Sequence, residues 1–131
     1  MAKEIKPFLM FANGAETAMR FYASLFPDAK IESLVHYGDD GPGPKGNVKQ
    51  ATLLILGSKM EFFDSPVPHA FTFTPAISFA VTCDDAAEVD RLFAKLSEDG
   101  QVLMGLDAYP FAKRFGWVND KFGVSWQLRA V

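Results

Sequence analysis

Apolar residues follow two rhythms along this chain, and the rhythms alternate. Phe8-Leu9-Met10-Phe11-Ala12 is an apolar run of strand length. Ala18, Tyr22 and Leu25 then recur at helical spacing, with Phe21 and Phe26 beside them. Asn13, with Glu16 three residues on, has the cap-plus-acid arrangement that satisfies free amides at a helix start; Pro27-Asp28 ends the helix. Lys30–Tyr37, Asn47–Leu56 and Lys59–Asp64 read as three strands. Gly38–Gly46, turn residues without an apolar anchor, separates the first two, and Gly57-Ser58 the second pair.

Ser65–Pro75 carries Pro66, Pro68 and Pro75, and after it the pattern restarts. Across Ala76–Cys83, Ile77, Phe79, Val81 and Cys83 take one face and Ser78, Ala80 and Thr82 the other. Asp85 with Glu88 repeats the cap, and Val89, Leu92, Phe93 and Leu96 form an apolar helical stripe that Asp99-Gly100 stops. Gln101–Leu106, Lys113–Asn119 and Gly123–Arg129 read as strands. In the last, Val124, Trp126 and Leu128 oppose Ser125, Gln127 and Arg129. Strand, helix and three strands therefore occur twice, with Pro7 set against Ser78. The pattern predicts an α+β chain of two βαβββ modules, about residues 1–65 and 75–131, joined by the Pro-rich connection 65–75. With one helix for four strands, the helix covers one sheet face and leaves the other for a different purpose.

Length and charge narrow the partners. The 131 residues suit a domain with a substantial core, and 13 phenylalanines make its packing aromatic-rich. A net charge of -3 and the absence of any basic run argue against nucleic acid and anionic membranes. Cys83 is the single cysteine, so no intrachain disulfide forms. No signal-like apolar segment opens the chain, and no run approaches the roughly 20 residues of a membrane span. The expectation is a soluble cytoplasmic protein.

Three segments carry a resemblance. They are Phe21-Tyr22 with Leu25-Phe26-Pro27, the run Phe71–Phe79, and Gly116-Trp117 through Trp126-Gln127. In these the chain resembles the vicinal oxygen chelate, or glyoxalase/bleomycin-resistance, superfamily, and within it the PhnB-like branch known as the 3-demethylubiquinone-9 3-methyltransferase domain. The resemblance implies mixed sheets curved into a cup, helices outside, and a homodimer. It also implies a metal position built from His on the first strand of each module and Glu on later strands. The matching positions here are Pro7, Ala51, Ser78 and Gln127, none of them His, Asp, Glu or Cys. The expectation is therefore no metal and no cofactor. A nucleotide-type cofactor needs a Gly-rich turn from strand into helix; Gly41–Gly46 lies between two strands and reads as a flexible loop, so methyltransferase activity is not expected.

The candidate cup-lining residues are Ser78, Gln127, Ser125, Trp117 and Asp64. Ser78, Ser125 and Gln127 either bind a ligand or satisfy one another. Trp117 walls a pocket or fills the core, and Asp64 lines a cup mouth or caps the turn at Ser65-Pro66. Cys83 and Trp126 fall on the helix side by strand parity. Tyr109-Pro110-Phe111 is a lid or a structured surface loop. The functional expectation is metal-free binding of a small, largely apolar molecule. Two alternatives stand beside it: a metal-dependent lyase or dioxygenase with displaced ligands drawn from His36, His69 and Glu61 or Asp64, and a drug-sequestering protein.

Overall fold

The sequence builds eight strands and two helices in the computed structural model, which describes Met1–Val131. The chain divides into two units, Met1–Thr72 and Phe73–Val131. Neither helix is long and apolar enough to cross a membrane.

The first unit holds β1 (Phe8–Phe11), α1 (Ala15–Leu25), β2 (Lys30–His36), β3 (Val48–Ile55) and β4 (Ser58–Asp64). Its sheet runs β1-β4-β3-β2, with β1 parallel to β4 and the other pairs antiparallel. Helix α1 buries Ala15, Ala18, Met19, Tyr22 and Leu25. The sheet supplies the other half of this core through Leu9, Phe11, Leu53 and Phe62, all buried. Phe62 is the hub: its ring lies 5.9 Å from Phe11 and 6.0 Å from Tyr22. Burial of such side chains contributes about 25 cal/mol per Å² of apolar surface and is the main force holding helix to sheet.

The start of α1 departs from the expected cap. Asn13 is exposed, and the helix opens at Gly14, whose φ of 84° is a left-handed value that favours glycine. No side chain at that position caps the helix. The Ala15 amide instead donates to Asp64 Oδ1 at 3.0 Å. Asp64 Oδ2 accepts from the Val48 amide at 2.7 Å, and the Tyr37 hydroxyl donates to the Asp64 carbonyl oxygen at 3.0 Å. A carboxylate 49 positions away thus does what Asn13 was expected to do.

The Gly38–Gly46 segment is not a free loop. It folds back on Tyr37, which is buried, through hydrogen bonds from the Tyr37 amide to the Asn47 carbonyl and from the Gly46 amide to the Tyr37 carbonyl. A Cβ at Gly43 would lie 2.5 Å from the Tyr37 ring, so the glycine is there for close approach.

The second unit repeats the order: β5 (Phe79–Thr82), α2 (Ala86–Ser97), β6 (Gln101–Tyr109), β7 (Ala112–Asn119) and β8 (Ser125–Ala130), with sheet order β5-β8-β7-β6. Here the predicted cap forms: Asp85 Oδ1 accepts from the Glu88 amide at 2.9 Å. Val89, Leu92 and Leu96 are buried with Val118, Trp126 and Leu128. A Cβ at Gly116 would come within 2.4 Å of Phe93, which marks where α2 lies tight on β7. Cys83 and Trp126 are buried as parity required.

Two boundaries differ from the pattern. The expected strand Ala76–Cys83 contracts to Phe79–Thr82, and Ile77 is 77% exposed instead of packed in the core. Its amide points back to the Thr74 carbonyl in a turn, so alternation there had no ladder to act on. Strand β6 continues to Tyr109, which pairs with Ala112, so Tyr109-Pro110-Phe111 makes a hairpin corner. The rings of Tyr109, Phe111 and Phe115 pack together at that corner, with centroids 4.9–5.6 Å apart.

Candidate functional site

In each unit the last strand pairs in parallel with the first, which provides a common ruler. Phe8 lies opposite Glu61 in the first unit, and Ala80 opposite Gln127 in the second. Aligned on the bonded pair that each ladder carries, Glu61 corresponds to Gln127 and Lys6 to Ser78, the latter two each lying two residues before the strand partner. Both pairs are bonded. The Lys6 ammonium lies 2.9 Å from Glu61, and the Gln127 amide donates to the Ser78 hydroxyl at 2.9 Å. The expected first-unit positions, Pro7 and Ala51, need correction by this register. Ala51 lies opposite Phe62 on the helix-covered face and is fully buried. A carboxylate does stand at the matching position, and it is Glu61.

Glu61 is the centre of a polar network on the helix-free face of the first sheet. Thr52 Oγ1 donates to its Oε2 at 2.5 Å, and Gln50 Nε2 to the same oxygen at 3.2 Å. Ser33 donates to Gln50 Oε1 at 3.1 Å. Partial burial pushes the Glu61 pKa up, but the Thr52 hydroxyl, the Lys6 ammonium and the Gln50 amide together outweigh it and hold the carboxyl below the ordinary range. Hydrogen bonds to Glu61 first and then to Glu4 raise the pKa of Lys6.

The second sheet carries a neutral counterpart. Trp117 lies opposite Gln127 and Asn119 opposite Ser125, so these four share a face. The Trp117 indole donates to the Ser125 hydroxyl at 2.8 Å. Ser125 is buried, whereas Trp117, Gln127 and Ser78 are half-buried. Asn119 Oδ1 is buried with no hydrogen-bond partner, a position of the kind that normally attracts a donor. Four of the five expected lining residues, Ser78, Gln127, Ser125 and Trp117, are thus joined into two hydrogen-bonded pairs on one sheet.

Asp64 leaves that set. It is 2% exposed, and both carboxylate oxygens are taken by backbone amides. It caps neither the Ser65-Pro66 turn nor an open mouth; the Ser65 hydroxyl itself holds that turn through the Val67 amide. Parity explains the error: Asp64 is on the Phe62 side of β4, under α1.

The displaced metal set also separates. His36 Nε2 lies 2.5 Å from Glu16, His69 Nε2 lies 3.0 Å from the Ser65 hydroxyl, and Glu61 holds Lys6. His69 and Phe71 border a cleft of about 190 Å³ with Met10 and Val67. No three His, Cys, Asp or Glu side chains gather as a metal set. The donor chemistry agrees: the Lys6 ammonium already occupies Glu61, and Ser78 with Gln127 offers no charge to a divalent ion. The residues present do not fit the metal that the fold commonly carries.

With this geometry in place, comparisons with known proteins are decisive for kinship. The profile of the 3-demethylubiquinone-9 3-methyltransferase family matches residues 3–129. The chain belongs to that family. The chain is similar to a putative 3-demethylubiquinone-9 3-methyltransferase, the PhnB protein from Bacillus cereus. The two are 50% identical over 98% of this chain and 100% of that one, with a TM-score of 0.95. It is similar to PA1353 from Pseudomonas aeruginosa, at 28% identity over 98% of each chain and a TM-score of 0.84. Protein YjdN of Escherichia coli K12 is 24% identical over 97% of this chain and 95% of that protein. A wider likeness extends the fold alone. A glyoxalase family protein from Bacillus cereus superposes at 12% identity over 99% of this chain and 94% of that one, with a TM-score of 0.66. Fosfomycin resistance protein FosX from Mesorhizobium loti does so at 13% identity over 98% and 91%, with a TM-score of 0.62. This PhnB-like member of the family thus has the glyoxalase/bleomycin-resistance fold.

The network around Glu61 and the orphan acceptor of Asn119 escaped sequence reasoning. The signal that would have found Glu61 is the parallel pairing of first and last strands. Counting by sequence offset alone lands one residue away, on Pro7, and on the wrong strand, at Ala51.

Proposed function

We propose that this family member binds a small, largely apolar molecule without a bound metal, on the helix-free face of its second sheet. The Gln127–Ser78 hydrogen bond carries the reading. A neutral pair stands where a ligand set would need charge, and it leaves polar groups suited to one or two directed contacts. Trp117 supplies an aromatic wall beside it, and Asn119 Oδ1 an acceptor that a ligand donor satisfies. Methyl transfer receives no support from Gly41–Gly46, which packs on Tyr37 between two strands. A homodimer in the cytoplasm completes the proposal. The exposed Phe71, Ile77 and Val102 and the buried, free Cys83 are compatible with it.

Trp117 fluorescence, titrated with a panel of aromatic and aliphatic small molecules, tests this reading. A hit should weaken about tenfold in Gln127→Ala, the worth of one hydrogen bond. It should persist after exhaustive chelation. A hit that depends on a divalent ion, or that ignores Gln127→Ala and Ser78→Ala, overturns the proposal. Calorimetry with S-adenosylmethionine should show no heat, and equilibrium sedimentation should give twice the chain mass.

A further inference from the structure

A second recognition surface lies within the first unit. Phe8 faces Glu61 across the parallel pair, and Phe63 follows Glu61 two residues on, so all three share the helix-free face. The Phe8 and Phe63 rings lie 5.6 Å apart and tilted, and Phe8 is 63% exposed. An ionised carboxylate flanked by accessible aromatic faces is the chemistry that recognises an organic ammonium, through an ion pair and cation–π attraction together.

The structure already places an ammonium there, and it is the chain's own. Lys6 reaches Glu61 at 2.9 Å and Glu4 at 3.2 Å, so two carboxylates face one cation and the local balance stays negative. Met1–Pro7 has no regular structure. The Glu61 amide bonded to the Pro7 carbonyl at 2.9 Å holds the backbone just beyond Lys6. The lysine side chain can thus swing out without breaking the sheet. The other side of the carboxylate stays fixed by Thr52 and Gln50. We propose that Glu61, Phe8 and Phe63 form a binding site for a primary organic ammonium with an apolar body, and that Lys6 is its displaceable internal occupant.

The test uses the full chain, with phenethylammonium as probe and 2-phenylethanol as its neutral control, followed by NMR amide shifts in β1 and β4. Lys6→Met should bind the ammonium about tenfold more tightly than the parent chain, because the internal competitor is gone. Lys6→Gln should do so as well, which covers the case in which methionine disturbs the fold. Glu61→Gln and Phe8→Ala, each in the Lys6→Met background, should lose the gain, and added salt should weaken binding. Equal binding of the neutral control, no gain in either Lys6 variant, or retention in Glu61→Gln overturns the proposal. Binding of magnesium but not phenethylammonium by Lys6→Met overturns the organic-ammonium assignment. Gln127→Ala should leave the ammonium site unchanged, so this site and the second-unit ligand stand or fall separately.

Discussion

The two units share one strand order but tie it together with differently placed carboxylates. In the first unit Asp64, at the end of β4, joins the start of α1 to the start of β3. In the second unit the equivalent position is Ala130, and α2 is capped by its own neighbour, Asp85. The buried acid of that unit is Asp120. Its Oδ1 accepts from the Phe122 and Val124 amides, and its Oδ2 from the Trp126 indole at 2.9 Å. The first unit thus spends its carboxylate on long-range closure and the second on a local turn. The helix-free faces differ in parallel: a charged pair, Lys6 and Glu61, in one, and a neutral pair, Ser78 and Gln127, in the other. A repeated topology determines which positions meet; side-chain chemistry then decides what each meeting does.

The sharpest way to break this comparison is to remove each buried carboxylate. Asp64→Ala should lower stability by about 3 kcal/mol, because it strands two buried amides. Asp120→Ala should cost a similar amount, and it should also shift the emission of the buried Trp126. Urea unfolding followed by far-ultraviolet circular dichroism measures both. If Asp64→Ala proves nearly silent, the long-range tie is not a major support of the first unit. Gly43→Ala comes next, at about 2 kcal/mol, since the new methyl group meets the Tyr37 ring. Asp85→Ala should cost about 1 kcal/mol, and Asn13→Ala close to nothing. That contrast separates the working cap from the one that sequence alone suggested.

The smallest effect distinguishes the two polar pairs by pH. The folded-state pKa of Glu61 lies below the ordinary 4.5, so its contribution is full above that value and is lost as pH falls through the depressed one. The pKa of Lys6 lies above the ordinary 10.5, so its share is full below that value and disappears as pH rises through the raised one. Lys6→Met should therefore destabilise at neutral pH and less so in acid, whereas Ser78→Ala should cost the same at both. Denaturation midpoints at pH 7 and pH 3 check the sign.

The sequence alone determined the order of elements, the repeat, the helix-side placement of Trp126 and Cys83, and the cap at Asp85. Each depends on periodicity or on spacing within a few residues, where chain geometry leaves little choice. It also set Ser78, Ser125 and Gln127 on one face, because last-strand parity and the repeat point there; Trp117 it left between pocket and core. Only the tertiary structure decided the role of Asp64, the burial of Gly43 under Tyr37, the exposure of Ile77, and the meeting of Lys6 with Glu61. These depend on register between strands distant in sequence, and a shift of one residue turns a side chain to the opposite face.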